Sequence, residues 1–404
     1  MSQKDEFLAY GRQVVEDDDI AAVVDVLRSD WLTTGPTTEH FDRAFAMAVD
    51  APLAISCSSG TAALHMAVLA AGLEPGDCAI VPAVTFLATA NAVRYAGAEV
   101  VFSDVDPNTG LMRPADLEAA FARAEGRVKA VFTVHLAGQC ENPPEIHEIA
   151  NRNSAIVIED ACHALGTTYV RNGLVTKVGS CADAAMSAFS FHPVKAIAMG
   201  EGGAVTTRNR ELAKRLVRLR NHGMTREPGQ FEQKDLAFES DGTPNPWYYE
   251  MPEVGYNYRV SDIHAALGLS QLKKLDRFVS IRRSLANRYD DRLRRLAPVI
   301  TPLNRTPNCD PAWHLYVALF DFDALGISRG KLMRELKSKG IGAQVHYLPV
   351  SQQPYYRRRY GNISLPGADS YYARCLTLPL HAAMTENDVD RVVSALSNII
   401  GKSE

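Results

Sequence analysis

The sequence has few cysteines, no long apolar run and almost no excess of one charge, and each lack excludes a class of protein. No apolar stretch reaches about 18 residues, so no membrane-spanning helix is expected. The 7 cysteines are scattered, odd in number and without a Cys-x-x-Cys pair, which excludes a disulfide framework or a zinc site. The 43 Lys and Arg against 47 Asp and Glu give a net charge of −4. That balance argues against nucleic acid or an anionic membrane as a partner.

The chain also shows no secretion signal, no internal repeat and no low-complexity tract. Its first residues, 1–6, are polar and run into acidic residues, which is not the pattern of a signal peptide. Together with cysteines typical of reduced thiols, this predicts a cytoplasmic protein. The 404 residues suffice for one large and one smaller domain, each with its own core.

Short apolar runs alternate with helical patterns through the first half of the chain. A helix is expected at 17–29, behind an acidic N-terminus. The predicted strands are 53–56, 79–84, 99–102, 129–134, 155–159, 184–189 and 203–207. The helical patterns between them are 61–71, 86–96, 114–124 and 143–152. Wholly apolar strands that alternate with helices predict a mostly parallel seven-stranded sheet covered on both faces, with ligands at the carboxyl ends of its strands.

The remainder of the chain predicts a smaller α+β domain. Residues 224–250 are polar and contain several Pro and Gly, which is typical of a long surface loop. Residues 261–295 form an amphipathic helical stretch that we expect to bridge to the C-terminal domain. The elements predicted there are a strand at 313–320, a helix at 329–338, a strand at 342–347 and a helix at 386–400. We therefore expect a large domain within 1–260, and a linking helix with a small domain within 261–404.

Lys195 is the residue on which the prediction of function depends. It follows the predicted strand 184–189 and precedes a glycine-rich turn at 200–203. A lysine that holds an aldehyde cofactor as a Schiff base needs an amine at a fixed point, often with a lowered pKa. An ordinary surface lysine is the alternative, and only the residues that accompany Lys195 argue against it.

Other residues that follow predicted strands offer partners for a phosphate. Residues 58–61, Ser-Ser-Gly-Thr, open the helical pattern 61–71, where backbone N–H groups and hydroxyls bind anions. An ordinary helix N-cap uses the same residue types and is the alternative. Ser190, five residues before Lys195, offers another hydroxyl.

Three further residues suit the ring of pyridoxal phosphate (PLP). Asp160 ends a predicted strand, and a carboxylate there keeps a pyridinium nitrogen protonated, which makes the ring an electron sink. Phe86 offers a ring that stacks on the cofactor, and His163 is placed to orient Asp160 by a hydrogen bond. An N-cap and a core phenylalanine are the alternatives for Asp160 and Phe86. A metal site at Cys162 and His163 is not expected, since adjacent residues at one strand end rarely converge on one ion.

Over nearly its whole length the chain resembles the DegT/StrS-type nucleotide-sugar aminotransferases. The segments that carry the resemblance are 31–36, 58–64, 134–139, 159–166, 190–195, 200–204, 221–223, 255–259 and 345–347. The resemblance implies an α/β fold, the type I fold of PLP-dependent transferases, with pyridoxal 5′-phosphate as cofactor. It also implies a homodimer whose active sites lie at the subunit interface.

The resemblance assigns roles to individual residues. It makes Lys195 the cofactor lysine and Asp160 the partner of the ring nitrogen. Further cofactor contacts are implied for Ser59, Gly60, Thr61, Phe86, His163 and Ser190, and for Asn257 and Arg259 of the neighbouring subunit. Many relatives carry Gln in place of His163, and some replace the lysine with His and become dehydratases. Substrate contacts are expected for Thr33, Thr34, Arg226, His346 and Tyr347, with turn residues and a strand end as the alternative interpretation.

Within this family, the details are most similar to the transaminases of pseudaminic acid synthesis. This implies that an amino group moves from L-glutamate to C4 of a UDP-linked 4-keto-6-deoxy-N-acetylhexosamine. An enzyme for another nucleotide-linked 3- or 4-keto sugar, such as a perosamine precursor, is the first alternative. A lyase of the same fold and a non-catalytic PLP-bound regulator are the others.

Overall fold

A computed structural model describes residues 7–401. The strands of this part are β1 (Leu53–Cys57), β2 (Asp77–Pro82), β3 (Glu99–Ser103), β4 (Arg127–Val134), β5 (Ile156–Asp160), β6 (Thr168–Arg171), β7 (Leu174–Lys177), β8 (Met186–Ser190), β9 (Gly203–Thr207), β10 (Ile300–Pro302), β11 (Cys309–Asp310), β12 (Tyr316–Phe320) and β13 (Cys375–Leu378). The α-helices are α1 (Asp17–Leu27), α2 (Pro36–Ala48), α3 (Gly60–Ala70), α4 (Leu87–Tyr95), α5 (Pro114–Arg123), α6 (Pro143–Arg152), α7 (Arg210–Arg220), α8 (Lys234–Ala237), α9 (Asp262–Leu272), α10 (Leu275–Leu293), α11 (Phe322–Leu325), α12 (Arg329–Ser338), α13 (Pro354–Tyr360), α14 (Pro366–Arg374) and α15 (Glu386–Ile400). Among these helices, none combines the length and the apolar character that crossing a bilayer requires.

The central sheet has seven strands in the order β1-β9-β8-β5-β4-β2-β3. From β8 to β3 all neighbours are parallel, whereas β9 runs antiparallel to both β8 and β1. The chain reverses between β8 and β9 without a crossover helix, and parallel pairing would require one. The predicted mostly parallel seven-stranded sheet is therefore confirmed, and the reversing connection is the segment that carries Lys195.

Helices cover both faces of this sheet, as the wholly apolar strands predict. One face packs against α3, α4 and α7 in a large core that includes Leu64, Val93 and Leu216. The other face packs against α5 and α6, where Leu117 and Ile149 are buried. The strands end between these two layers, so their carboxyl ends open at one edge of the sheet.

A second core lies around the antiparallel sheet β10-β12-β13. Helices α10, α12 and α15 cover that sheet, and their buried residues include Tyr289, Leu332 and Val392. Leu8 joins this core from the start of the described chain and pairs with Ile341. The expected division of the chain at residue 260 stays a prediction.

Two predicted elements of the C-terminal half differ from the structure. The expected strand at 342–347 is wrong, because this segment makes only a single bridge between Gln344 and Thr377, and β13 is the strand that pairs with β12. The helical stretch at 261–295 is two helices, α9 and α10, separated at residues 273–274. The predicted loop at 224–250 holds the short 3-10 turn Pro228–Gln230, the four-residue α8 and two isolated bridges, Thr225 with Glu250 and Phe238 with Pro244.

Candidate active site

A cavity of about 610 Å³ opens at the carboxyl ends of the central strands. It brings together ten of the residues that the sequence singled out, which are Ser59, Gly60, Thr61, Phe86, Asp160, His163, Ser190, Lys195, His346 and Tyr347. These residues come from both halves of the chain. The cavity therefore joins the lysine, the phosphate turn and the strand-end carboxylate in one place.

The phosphate turn is the N-terminus of α3. The Ser59 hydroxyl caps this helix by accepting the N–H of Ala62 at 3.1 Å. The N–H groups of Gly60 and Thr61 belong to the first turn, where N–H groups have no partner within the helix. A Cβ on Gly60 would lie 2.6 Å from the Cβ of Ser190, so only glycine lets the turn approach that serine. The turn thus offers free N–H groups and hydroxyls to an anion.

Asp160 is a buried carboxylate at the end of β5. Its Oδ2 accepts a hydrogen bond from the Thr89 hydroxyl at 2.7 Å, and its Oδ1 accepts the N–H of Cys162 at 3.2 Å. Among the described residues no helix begins at Asp160, so the N-cap alternative is wrong. The carboxylate is held at a fixed orientation at the cavity wall.

Lys195 lies in the connection between β8 and β9 and is half-buried. Its N–H donates to the His192 carbonyl at 2.8 Å, which fixes the turn. Burial lowers the pKa of the Lys195 ammonium, and the nearby Cys162 and Asp160 act in the opposite direction. A lowered pKa increases the fraction of neutral amine, which is the nucleophilic form.

His163 does not make the expected hydrogen bond to Asp160. Its Nε2 lies 3.3 Å from the Tyr347 hydroxyl, and its ring centroid lies 4.3 Å from that of His314. Thr89 and the Cys162 N–H orient the carboxylate instead. Burial, followed by the Lys195 charge, keeps the pKa of His163 well below its ordinary value, so this ring is neutral.

Besides His163 and His192, two more histidines line the cavity, His314 and His346. Burial lowers the pKa of His346 to about 3 and also holds the pKa of His314 well below its ordinary range. The Nδ1 of His346 lies 2.7 Å from the Thr377 hydroxyl, which fixes that ring. Sequence reasoning missed His314 and Thr89, which lay inside a predicted strand and a predicted helix without a motif to mark them.

Phe86 is 55% exposed and lies at the cavity rather than in a core. It is the N-cap residue of α4, and its ring centroid is 6.1 Å from that of Tyr347. The core alternative for Phe86 is therefore wrong. An exposed ring at this position is free to cover a bound flat molecule.

The other predicted site residues do not line this cavity. The Thr33 carbonyl accepts the N–H of Asp262 at 2.6 Å, so the Thr33–Thr34 turn is fastened to the start of α9. Arg226 and Arg259 line a separate depression of about 980 Å³, and Arg259 donates to the Asn221 side chain at 2.6 Å. Asn257 pairs with Asn221 beside it. The structure thus does not bring Thr33, Thr34 or Arg226 to this cavity.

Comparison with known proteins decides the family, because residues 13–397 match the DegT/DnrJ/EryC1/StrS aminotransferase family. The chain belongs to this family. It is 38% identical to the spore coat polysaccharide biosynthesis protein SpsC of Bacillus subtilis, over 99% of each chain. Its fold is similar to that of Helicobacter pylori PseC, an aminotransferase involved in pseudaminic acid biosynthesis, with a TM-score of 0.86, 28% identity and coverage of 98% and 100% of the two chains.

A second solved relative bears on the cofactor. The putative sugar aminotransferase Spr1654 of Streptococcus pneumoniae is 27% identical in its PLP form, with a TM-score of 0.85 and coverage of 98% and 99% of the two chains. A structure of its pyridoxamine phosphate form matches as well. Members of the DegT/DnrJ/EryC1/StrS family depend on PLP, and this protein is a PLP-dependent sugar aminotransferase of that family.

The residues at the cavity fit the family's cofactor. The N-terminus of α3 suits a phosphate, and Gly60 lets that N-terminus lie against Ser190, whose Cβ would be 2.6 Å from a Cβ at position 60. The fixed carboxylate of Asp160 suits a protonated ring nitrogen, and the Lys195 amine suits an aldehyde carbon. Within residues 7–401 no group of three or more His, Cys, Asp or Glu is placed to hold a metal ion.

Proposed function

We propose that the protein transfers an amino group from L-glutamate to C4 of a UDP-linked 4-keto-6-deoxy-N-acetylhexosamine, as in a pathway of the pseudaminic acid type. The convergence of Lys195, Asp160 and the α3 N-terminus on one cavity supports amino transfer as the reaction type. The similarity to PseC over 98% of this chain supports the choice of sugar. The identity with SpsC supports a role in polysaccharide biosynthesis.

In this proposal the N-terminus of α3 holds the cofactor by its phosphate. The first-turn N–H groups at Gly60 and Thr61 donate to phosphate oxygens, and the helix dipole favours the negative charge. The hydroxyls of Ser59 and Ser190 lie beside them, although Ser59 already accepts the Ala62 N–H. PLP, when bound, supplies a protonated pyridine ring that withdraws electrons from the reacting carbon.

Lys195 is the proposed general acid and base. Its amine first fixes the cofactor and, once the amino donor has displaced it, is free to carry a proton. It removes the proton from Cα of glutamate, and in the second half of the cycle it returns a proton to C4 of the sugar. The lowered pKa of Lys195 supports this role, because the neutral amine is the form that accepts a proton.

Asp160 keeps the ring nitrogen protonated in this proposal. Its two oxygens are oriented by Thr89 and Cys162, so the carboxylate is fixed before the cofactor binds. An oriented carboxylate in a low-dielectric site stabilises a neighbouring cation more strongly than one in water. Phe86 and the neutral His163 are proposed to enclose the ring.

A homodimer is part of the proposal because the described cavity is poor in cations. Of the residues that line it, Lys195 is the single Lys or Arg, whereas glutamate and a nucleotide diphosphate both require positive partners. Arg226 and Arg259 lie on a basic face outside the cavity of their own protomer. We propose that this face, with Asn257, completes the site of the partner subunit, and that the Thr33–Thr34 turn, His346 and Tyr347 border the sugar.

A panel of keto sugars tests the function. The purified protein is incubated with glutamate and with UDP- and dTDP-linked 3-keto and 4-keto sugars, and amine formation is measured by mass spectrometry. We expect amination of the UDP-linked 4-keto-6-deoxy-N-acetylhexosamine and no product with Lys195→Ala. Amination of a dTDP-linked or a 3-keto sugar alone would contradict the proposed substrate. Visible absorbance of the bound cofactor that glutamate leaves unchanged would contradict an aminotransferase altogether.

A further inference from the structure

Arg282 is a cation buried at the junction of two apolar cores. It lies on α10 and is 1% exposed. Val279, one turn earlier, belongs to the cluster that includes Phe191 and Ile197 on either side of Lys195, whereas Leu285, one turn later, belongs to the core of the small antiparallel sheet. Within residues 7–401 no carboxylate pairs with Arg282, and burial lowers its pKa to about 10.

A buried guanidinium without a counter-ion is costly, and apolar residues of similar volume often replace buried charges without loss of stability. Packing alone therefore does not explain why an arginine occupies position 282. The sequence carries no motif at 282 that marks the residue, because it lies inside the amphipathic pattern of a long helix.

The donors of Arg282 go to backbone carbonyls of three separate segments. Nη1 donates to the carbonyls of Leu380 at 3.0 Å and His314 at 3.2 Å, and Nη2 donates to the carbonyl of Lys195 at 3.5 Å. Leu380 follows β13, His314 precedes β12, and Lys195 lies between β8 and β9. One side chain thus ties the lysine segment to two segments of the small-sheet region.

The backbone of Lys195 is consequently held at both of its polar groups. Its N–H donates to the His192 carbonyl at 2.8 Å, and its own carbonyl accepts from Arg282. His314, whose carbonyl takes another donor from the same guanidinium, lines the cavity beside His163. A shift of Arg282 therefore moves both the lysine and one wall of the cavity.

We propose that Arg282 is a positioning residue for Lys195, which fixes the lysine backbone against the small-sheet region so that the amine meets its target at a set distance. The inference rests on the proposed role of Lys195. Arg282 touches the backbone of Lys195 and acts through it. A lysine at 282 keeps the charge but cannot deliver a planar fork of donors to three carbonyls.

Arg283 provides a matched control on the same helix. Its Nε donates to the Pro311 carbonyl at 2.9 Å, and its Nη2 lies 3.2 Å from the Asp310 carbonyl and 3.5 Å from the Gly166 carbonyl. It therefore also ties separate segments together through backbone carbonyls, and its Nη2 pairs with the Asp310 carboxylate at 2.8 Å, but it contacts neither Lys195 nor His314. A purely structural role for Arg282 predicts that any slowing of attachment follows the loss of stability, in variants of either arginine.

The experiment measures noncovalent binding of the cofactor separately from its covalent attachment to Lys195. Cofactor-free wild type, Arg282→Lys, Arg282→Met and Arg283→Met are mixed with PLP. In the covalent step the lysine nitrogen bonds to the aldehyde carbon and one water leaves; borohydride then reduces this bond, and the modified Lys195 peptide is quantified by mass. We expect Arg282→Lys to slow covalent attachment by about tenfold to a hundredfold, as misplacement of a reacting group by about 1 Å does. Noncovalent binding of PLP through its phosphate should be unchanged. Arg283→Met should attach at the wild-type rate.

Two results overturn the proposal, which are attachment at the wild-type rate in Arg282→Lys and equal slowing in Arg283→Met. If Arg282→Met does not fold, the rate of covalent attachment in Arg282→Lys alone tests the proposal. Thermal unfolding of every variant is measured alongside, since a loss of stability without slower attachment shows a structural role alone. A covalent adduct that persists in Lys195→Ala contradicts the proposed function rather than this inference, so the two failures are distinguishable.

Discussion

At the scale of single residues, the site depends on side chains that hold the proposed catalytic groups in a fixed orientation. Thr89 donates its hydroxyl to Asp160 at 2.7 Å, and it also lies 2.8 Å from the Thr85 hydroxyl. Both threonines are buried, so the carboxylate is oriented in a region where hydrogen bonds are strong and missing ones are costly. The chemistry assigned to Asp160 should therefore be sensitive to Thr89.

Replacement of Thr89 by Val tests this dependence. The change keeps the shape of the side chain and removes the hydroxyl, which leaves one oxygen of Asp160 without its partner. A hydrogen bond to a charged group contributes about 1.5 to 3 kcal/mol, so we expect turnover to fall by about tenfold to a hundredfold, with the visible spectrum of the bound cofactor altered. Thr89→Ser, which keeps the hydroxyl, should retain most of the activity. Equal activity of the Val and Ser variants would count against the orienting role of Thr89.

At the scale of elements, the approach of β9 to the start of α3 sets the shape of the phosphate turn. A Cβ at Gly203 would lie 2.3 Å from the Ser59 carbonyl oxygen and 2.8 Å from the Gly60 nitrogen. No larger residue fits there without moving either the strand or the helix N-terminus. The first residue of β9 is buried and does not line the cavity, but it sets the position of the phosphate turn.

Gly203→Ala should accordingly weaken both folding and cofactor binding. Overpacking of this kind costs about 1 to 3 kcal/mol, and the displaced α3 N-terminus should bind PLP more weakly. Thermal unfolding and titration with PLP measure the two effects. Gly229→Ala is the control, because nothing lies within 4 Å of a Cβ at Gly229, and its stability should match the wild type. Unchanged PLP affinity in Gly203→Ala would refute the link between β9 and the phosphate turn.

The elements also show what could be predicted from the sequence. The apolar runs located the seven central strands, because a strand buried on both faces is apolar throughout. The segment 342–347 was wrongly predicted as a strand, since it contributes His346 and Tyr347 to the cavity and makes one bridge only. The site residues that follow strands were predictable, because the carboxyl ends of parallel strands meet at one edge of the sheet. Thr89, His314 and Arg282 were not, because their contacts join segments far apart in the chain.

At the scale of the whole molecule, the arrangement raises the question of how a site poor in cations binds two anionic substrates. The cavity is lined by Lys195, while Arg259 lies on a separate basic face of the same chain. Arg259 is held there by Asn221, so it does not reach the cavity of its own chain. A symmetric dimer would let each chain supply the basic face to the site of the other.

Mixing two inactive variants tests this shared site. We expect Lys195→Ala and Arg259→Ala each to be inactive or strongly impaired alone, the latter through loss of bound PLP. In a mixed dimer one site carries both substitutions and the other carries neither, so an equal mixture that exchanges subunits should recover about one quarter of the wild-type sites. Turnover after co-expression measures the recovery, and Lys195→Ala co-expressed with Lys195→Met is the control that should recover nothing. Absence of recovery in dimers shown by mass to be mixed would mean that Lys195 and Arg259 serve the same site from one chain, and the proposed exchange of residues between subunits would then be wrong.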